Sequence, residues 1–215
     1  KEDQAQRVKE FMNFYISSVM EEYTPEFDQM LFYLPLAGST FKKVYYDENL
    51  GRAVSKFIPA ENLIVPYNTS DLETCPNITH IVRMSLNDLR KRQLSGFYRD
   101  IPVIPAQGDS NSVKDEIERI DGMYPSQIDY DCTLLECHVD LDLEGFEEMD
   151  EEGEPTGIKV PYVVTISQDN GQVLSIRRNY REDDDNKKKI QYFVHYKFLP
   201  GFGFYGLGLI HTIGG

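Results

Sequence analysis

The sequence predicts an α+β fold: an N-terminal helical hairpin, then mixed strands and short helices, then a C-terminal antiparallel β-meander. Three observations carry this reading. Apolar residues near the N-terminus recur at intervals of three and four, the helical period. From Ser39 the period changes to two, as on a half-buried strand. The last third holds four β-branched or aromatic runs separated by turn residues. Hydrophobic residues make up 40% of the 215 and aromatics 12%, enough to build a core. A chain of this length removes roughly 70% of its unfolded surface from water and needs no disulfide or metal staple. It reads as one large domain or a small one with an elaborate insertion. Fifteen glycines and eleven prolines exclude collagen-like architecture, and no apolar run reaches a membrane span.

In chain order, a helix is expected over residues 5–23, with Val8, Phe11, Tyr15 and Val19 on one face. Thr24-Pro25 should end it, because the residue before a proline avoids helical geometry. A second apolar helix is expected from Glu26 to Tyr33, closing at Pro35 and Gly38. These two helices form the hairpin of residues 1–38. In the mixed part, residues 39–130, Phe41, Val44 and Tyr46 and then Ala53, Ser55 and Phe57 flank Asp47-Glu-Asn-Leu-Gly51 as a β-hairpin. Leu63 to Val65 and Ile78 to Met84 are further strands. Ser85 should cap a helix from Leu86 to Leu94 that Gly96 ends, and another short helix is expected from Val113 to Ile120.

Residues 131–200 should form a three- or four-stranded meander from Thr133–Leu143, Ile158–Ser167, Gln172–Asn179 and Lys189–Leu199. Asp169-Asn-Gly171 is its strongest hairpin signal. Residues 201–215 mix glycine with apolar residues and read as the start of a truncated helical segment. The chain begins without Met and stops inside that stretch, so the expectation is an internal fragment of a larger subunit. No secretory signal is present, and the sequons at Asn68 and Asn77 are read as chance matches.

The formal net charge of -14 is mostly local. Between Asp140 and Glu154 nine residues are acidic and none is basic, which leaves 22 basic against 27 acidic elsewhere, or -5. That balance argues against a domain that grips nucleic acid through its phosphates. Cys75, Cys132 and Cys137, odd in number and without a CxxC pair, read as reduced thiols.

Several motifs have a functional and a plain reading. Asp140, Asp142, Glu144, Gly145 and Glu151 nearly fit a calcium loop, with Glu in place of Asp or Asn at the fifth position and strand-like flanks. A solvated acidic loop is the preferred reading. Gly201-Phe-Gly203-Phe-Tyr-Gly206 matches a dinucleotide fingerprint, but it follows an antiparallel strand, and its bulky neighbours suit close packing. Cys132, Cys137, His138 and His80 lack zinc-type spacing, since positions 132 and 137 of one strand face opposite sides. His195 and His211 sit in apolar surroundings and read as packed. Asp129 and Asp131, around a tyrosine, lack a third ligand and read as surface. Lys187-Lys188-Lys189 beside three aspartates reads as a soluble hairpin tip. No catalytic, cofactor-binding or metal-binding residue is assigned, and the chain is not expected to be an enzyme.

Seven stretches run in order across most of the chain and share no chemical signature. They are Leu31-Phe-Tyr-Leu-Pro-Leu-Ala-Gly-Ser39, Phe41-Lys-Lys-Val-Tyr-Tyr-Asp47, Ile64-Val-Pro-Tyr-Asn68, Asp71-Leu-Glu-Thr-Cys75, Ile78-Thr-His-Ile-Val-Arg-Met84, Leu94-Ser-Gly-Phe-Tyr-Arg-Asp100 and Gly201-Phe-Gly-Phe-Tyr-Gly-Leu-Gly-Leu-Ile-His211. In these the chain resembles the portal proteins of short-tailed double-stranded DNA phages and prophages. The resemblance implies a wing-like internal fragment of a portal subunit in the virion, at the capsid vertex, assembled in the bacterial cytoplasm. It implies self-association into a twelve-fold ring, docking of the terminase large subunit and the head-to-tail adaptor, contact with capsid or scaffold proteins, and passage of double-stranded DNA without sequence-specific binding. It carries no catalytic residue, cofactor or membrane contact. The alternatives are another virion module, such as an adaptor or scaffold-binding domain, and a calcium-dependent binding domain at Asp140–Glu151.

Overall fold

The computed structural model describes residues 2–48, 50–103, 131–149 and 152–214. The chain forms two compact units, one from residues 1–78 and 190–215, the other from residues 79–189. The fold is α+β, with helices first and strands after. Among the described residues no helix is long and apolar enough to cross a membrane.

In the first unit, α1 (Glu2–Phe14) runs into a π-turn at Tyr15–Val19, and α2 (Tyr23–Ala37) follows. The break falls at Met20, not at Thr24-Pro25, which lies in the first turn of α2. A proline there loses only an N–H that the helix could not pair in any case. Pro35 likewise sits in the last turn, and Gly38 closes α2 in the left-handed conformation, φ 84°.

The hairpin follows as expected, with β1 (Ser39–Asp47) paired antiparallel to β2 (Arg52–Pro59) around Gly51, φ 63°. A short 3-10 turn (Ala60–Asn62) leads to β3 (Leu63–Ile64). The last strand, β8 (Phe193–Lys197), adds to the free side of β1, so the sheet order is β2-β1-β8. This corrects the meander expected over residues 131–200. Its fourth strand leaves for a partner 150 residues away in sequence, a pairing that no local turn signal encodes.

One face of this sheet carries Phe41, Ile58 and Phe193, which join Leu63, Leu72, Cys75, Ile78 and Phe204 in a core. The other face, with Thr40 and Lys42, lies under α2. After a Leu199–Leu207 bridge the chain ends in α4 (Leu209–Ile213). The glycines of this segment permit backbone contact: a Cβ on Gly208 would stand 2.2 Å from the Leu36 carbonyl oxygen, and one on Gly206 2.5 Å from that of Gly38.

The chain passes into the second unit within β4 (Asn77–Ser85). Ser85 caps α3 (Leu86–Leu94) as read from the sequence, its Oγ accepting the Asp88 N–H at 3.1 Å. Gly96, φ 76°, turns the chain away. The expected helix at Val113–Ile120 lies outside the described residues.

β5 (Asp131–Leu141), β6 (Val160–Ser167) and β7 (Val173–Arg178) form the three-stranded part of the meander, in the order β4-β5-β6-β7. Gly171, φ 66°, closes the Asp169-Asn-Gly turn between β6 and β7. The sheet packs on both faces. Cys132, Leu134 and Leu174 lie with Leu89 and Tyr98 on one side, and Val160, Tyr162 and Val164 with Cys137 on the other. Residues 180–189 carry no hairpin; they lead from β7 to the strand that belongs to the first unit.

Candidate functional site

The two hydrophobic faces of β5 separate the thiols as the strand period requires. Cys132 is buried in one cluster and Cys137 borders the other. His138 is buried on the Cys132 side, with its Nε2 2.8 Å from Glu136 Oε1, two residues along the strand. His80 and His138 each have interaction partners. Among the described residues no three His, Cys, Asp or Glu side chains are grouped to hold a metal ion. Asp129, Glu151 and the Asp131 side chain lie outside the described residues, as does the end of the calcium-like loop.

The rest of that acidic loop links β5 to β6, so its flanks are strands, with Gly145 at φ 83°. The Glu147 carboxyl is held below the ordinary carboxylate range, first by its own backbone N–H and then by that of Gly145. The loop borders an open groove of about 540 Å³, lined by Phe146, Glu148, Tyr162, Arg178, Tyr180 and Lys187 among others. Lys187, the one described non-glycine residue at positive φ (47°), pairs its Nζ with Glu148. Its ammonium also lies 5.6 Å from the Tyr180 ring centre. The lysine run is therefore partly engaged rather than a bare tip: one of its members holds the acidic loop. The lining mixes both charges with aromatic faces.

Among the described residues, Ser39 and His195 come together as a nucleophile–base pair would, at 3.1 Å. Three observations make it structural. The Ser39 hydroxyl is buried and already accepts the Gly206 N–H at 2.7 Å. The imidazole packs against Phe41 at 4.5 Å and Phe204 at 4.6 Å, and these two rings also stack on each other at 5.9 Å. Burial, and then the charge of Lys197, push its pKa down to about 4, which makes it a weak base near neutrality. His195 is packed, as read from the sequence, while His211 is exposed instead. Its Nδ1 accepts the Gly208 N–H at 3.1 Å and closes the start of α4. The GxGxxG run forms bends between the two residues of the Leu199–Leu207 bridge, with Phe204 in the core.

Two clusters went unnoticed in the sequence. Around Phe97, the Arg177 guanidinium carbon stands 3.4 Å and that of Arg92 5.3 Å from the ring centre. Along β2, Tyr15, Glu22 and Glu26 accept hydrogen bonds from alternate strand amides. The four-residue spacing of Glu22 and Glu26 on a helix was the available signal for the second cluster. The first cluster has none, since its arginines are 85 residues apart.

Neither the models of known protein families nor the curated proteins include a match to this chain.

Proposed function

We propose that this chain is the wing-like internal part of a portal subunit from a short-tailed double-stranded DNA phage or prophage. In this reading it has a structural role: the full subunit closes a ring at the capsid vertex, docks the terminase large subunit and then the head-to-tail adaptor, and lets DNA pass. The observation that carries the reading is the ordered run of seven similar stretches, from Leu31 to His211. Two further features support it. Apart from the acidic loop the chain still carries a charge of -5, and a negative surface lets DNA slide past without holding it. Val8, Phe11 and Phe14 on α1 are all about 60% exposed, and Phe32 on α2 is 76% exposed, apolar surface suited to burial against neighbouring chains.

The test is negative-stain electron microscopy with light scattering on the full-length polypeptide. Closed rings with a central channel are expected. A uniform monomer or dimer would overturn the proposal.

A further inference from the structure

The sheet of the first unit ends at β2, and an edge strand presents a row of unpaired backbone groups. In β2 the amides of Val54, Lys56 and Ile58 face β1, opposite Tyr45, Lys43 and Phe41. Those of Ala53, Ser55 and Phe57 face outward, and among the described residues no strand covers them. Ala53 N–H donates to the Tyr15 hydroxyl at 3.0 Å, Ser55 N–H to Glu22 Oε1 at 3.2 Å, and Phe57 N–H to Glu26 Oε2 at 2.6 Å. The match is geometric. Four residues of helix advance about 6.0 Å and two residues of strand about 6.6 Å, so Glu22 and Glu26 keep step with every second amide.

Two charges beneath this cover tie it to the carboxylates. Arg52 Nη1 reaches Glu22 Oε2 at 2.5 Å, with both side chains about one-fifth exposed. Lys42, on the sheet face under α2, is 3% exposed, and its Nζ has no hydrogen-bond partner among the described residues. Its ammonium lies 4.3 Å from the Tyr23 ring centre and 5.2 Å from that of Phe27. Burial lowers its pKa, while Glu26 and Glu22 oppose that shift. A buried cation held by ring faces and two nearby anions becomes costly when the anions are neutralised. The Thr40 hydroxyl, on the same face, is also buried and without a hydrogen-bond partner among the described residues.

We propose that the segment from Tyr15 to Phe27 is a detachable strap: the Glu22 and Glu26 carboxylates hold it on the β2 edge, and it leaves as one piece when their charge is lost. The groups that face these carboxylates are Arg52 and the Ser55 and Phe57 amides on β2, Lys42 on β1, and the Glu22 backbone N–H on the strap itself. With the strap gone, β2 offers three amide donors at two-residue spacing, the pattern to which an added strand pairs. The inference rests on the first unit alone and does not depend on the portal reading.

The test is residue-resolved amide hydrogen exchange near neutral pH on the whole chain carrying Glu22→Gln and Glu26→Gln. Each glutamine keeps an acceptor oxygen and removes the charge. Exchange at Ser55 and Phe57 should rise roughly tenfold or more, and Ala53 should rise with them although its own acceptor, Tyr15, is untouched. Adding Lys42→Met should restore part of the protection, because it removes the buried charge. The proposal is overturned if the three outward amides keep their protection, or if Ala53 stays protected while the other two exchange. It is also overturned if Lys42→Met restores nothing, or if Val54, Lys56 and Ile58 lose protection equally, since the helix would then be part of the sheet's own stability.

Discussion

The two units solve the same problem, an exposed edge strand, with different chemistry. In the first, β2 is covered by side chains, and two of the three acceptors are carboxylates over a buried lysine. In the second, β7 is covered by backbone. Arg99 N–H donates to the Leu174 carbonyl at 2.8 Å, and Arg177 Nη2 donates to the Phe97 carbonyl at 3.0 Å. Gln93 Nε2 ties that covering segment back to α3 through the Arg99 and Ile101 carbonyls. Backbone groups do not titrate, and Tyr98 and Ile101 bind the second cover to the hydrophobic core. The first cover therefore depends on charge, and the second on packing.

The largest effects should come from packing in each unit. Gly208→Ala places a Cβ 2.2 Å from the Leu36 carbonyl oxygen and 2.7 Å from the Gly38 nitrogen, where backbone must move. We expect a loss of about 3 kcal/mol or more, seen in urea unfolding, with the exchange of second-unit amides unchanged. Leu174→Ala, at a fully buried position under the β7 cover, should cost about 2–5 kcal/mol and act in the second unit. Both results would sharpen the division between the units; a Gly208 variant that destabilises both equally would break it.

Smaller effects should separate charge from packing. Glu22→Ala removes the partner of Arg52 and of the Ser55 amide and should cost about 2 kcal/mol. Burial acts to raise the Glu22 pKa, but its own backbone N–H, Arg52 and the Ser55 N–H together hold it below 4.5. A carboxyl depressed in the fold contributes stability above its unfolded pKa, and that contribution fades as pH falls through the folded value. The Glu22→Ala penalty should therefore shrink in acid, which denaturation at pH 7 and pH 3 measures. His195 runs the same way for a different reason. Its pKa falls from 6.5 to about 4 in the fold, so protonation opposes folding. Stability should decline as pH drops from 6.5 toward 4 and then level off, a slope that His195→Phe should flatten. Smallest of all, Lys187→Ala breaks a pair with Glu148 in which each side chain is 29% exposed, and should cost under about 1 kcal/mol in the second unit.

Much of this fold was legible because its signals are local. Gly51 and Gly171 close their turns, Ser85 caps α3, and strand alternation sends Cys132 and Cys137 to opposite faces. The strand β8 was legible but its pairing was not, because its partner, β1, lies at the other end of the chain. The first helix was overextended because Thr24-Pro25 looks like a stop and is a start. The β2 cover stayed hidden for a related reason: Glu22 and Glu26 look like ordinary surface acids until the strand beside them is known. His211 was misplaced because apolar neighbours in sequence do not guarantee burial. The glycine-rich end was read correctly as close packing, since bulky Phe204 and small Gly206 suit a backbone that meets another backbone.

The most direct measurement is the protection of the two edges in the unaltered protein as pH is lowered from 7 to 3, each amide corrected for its intrinsic exchange rate. The account predicts that Ala53, Ser55 and Phe57 lose protection together while Arg99 keeps its own. Equal loss at both edges, or none at either, would contradict it.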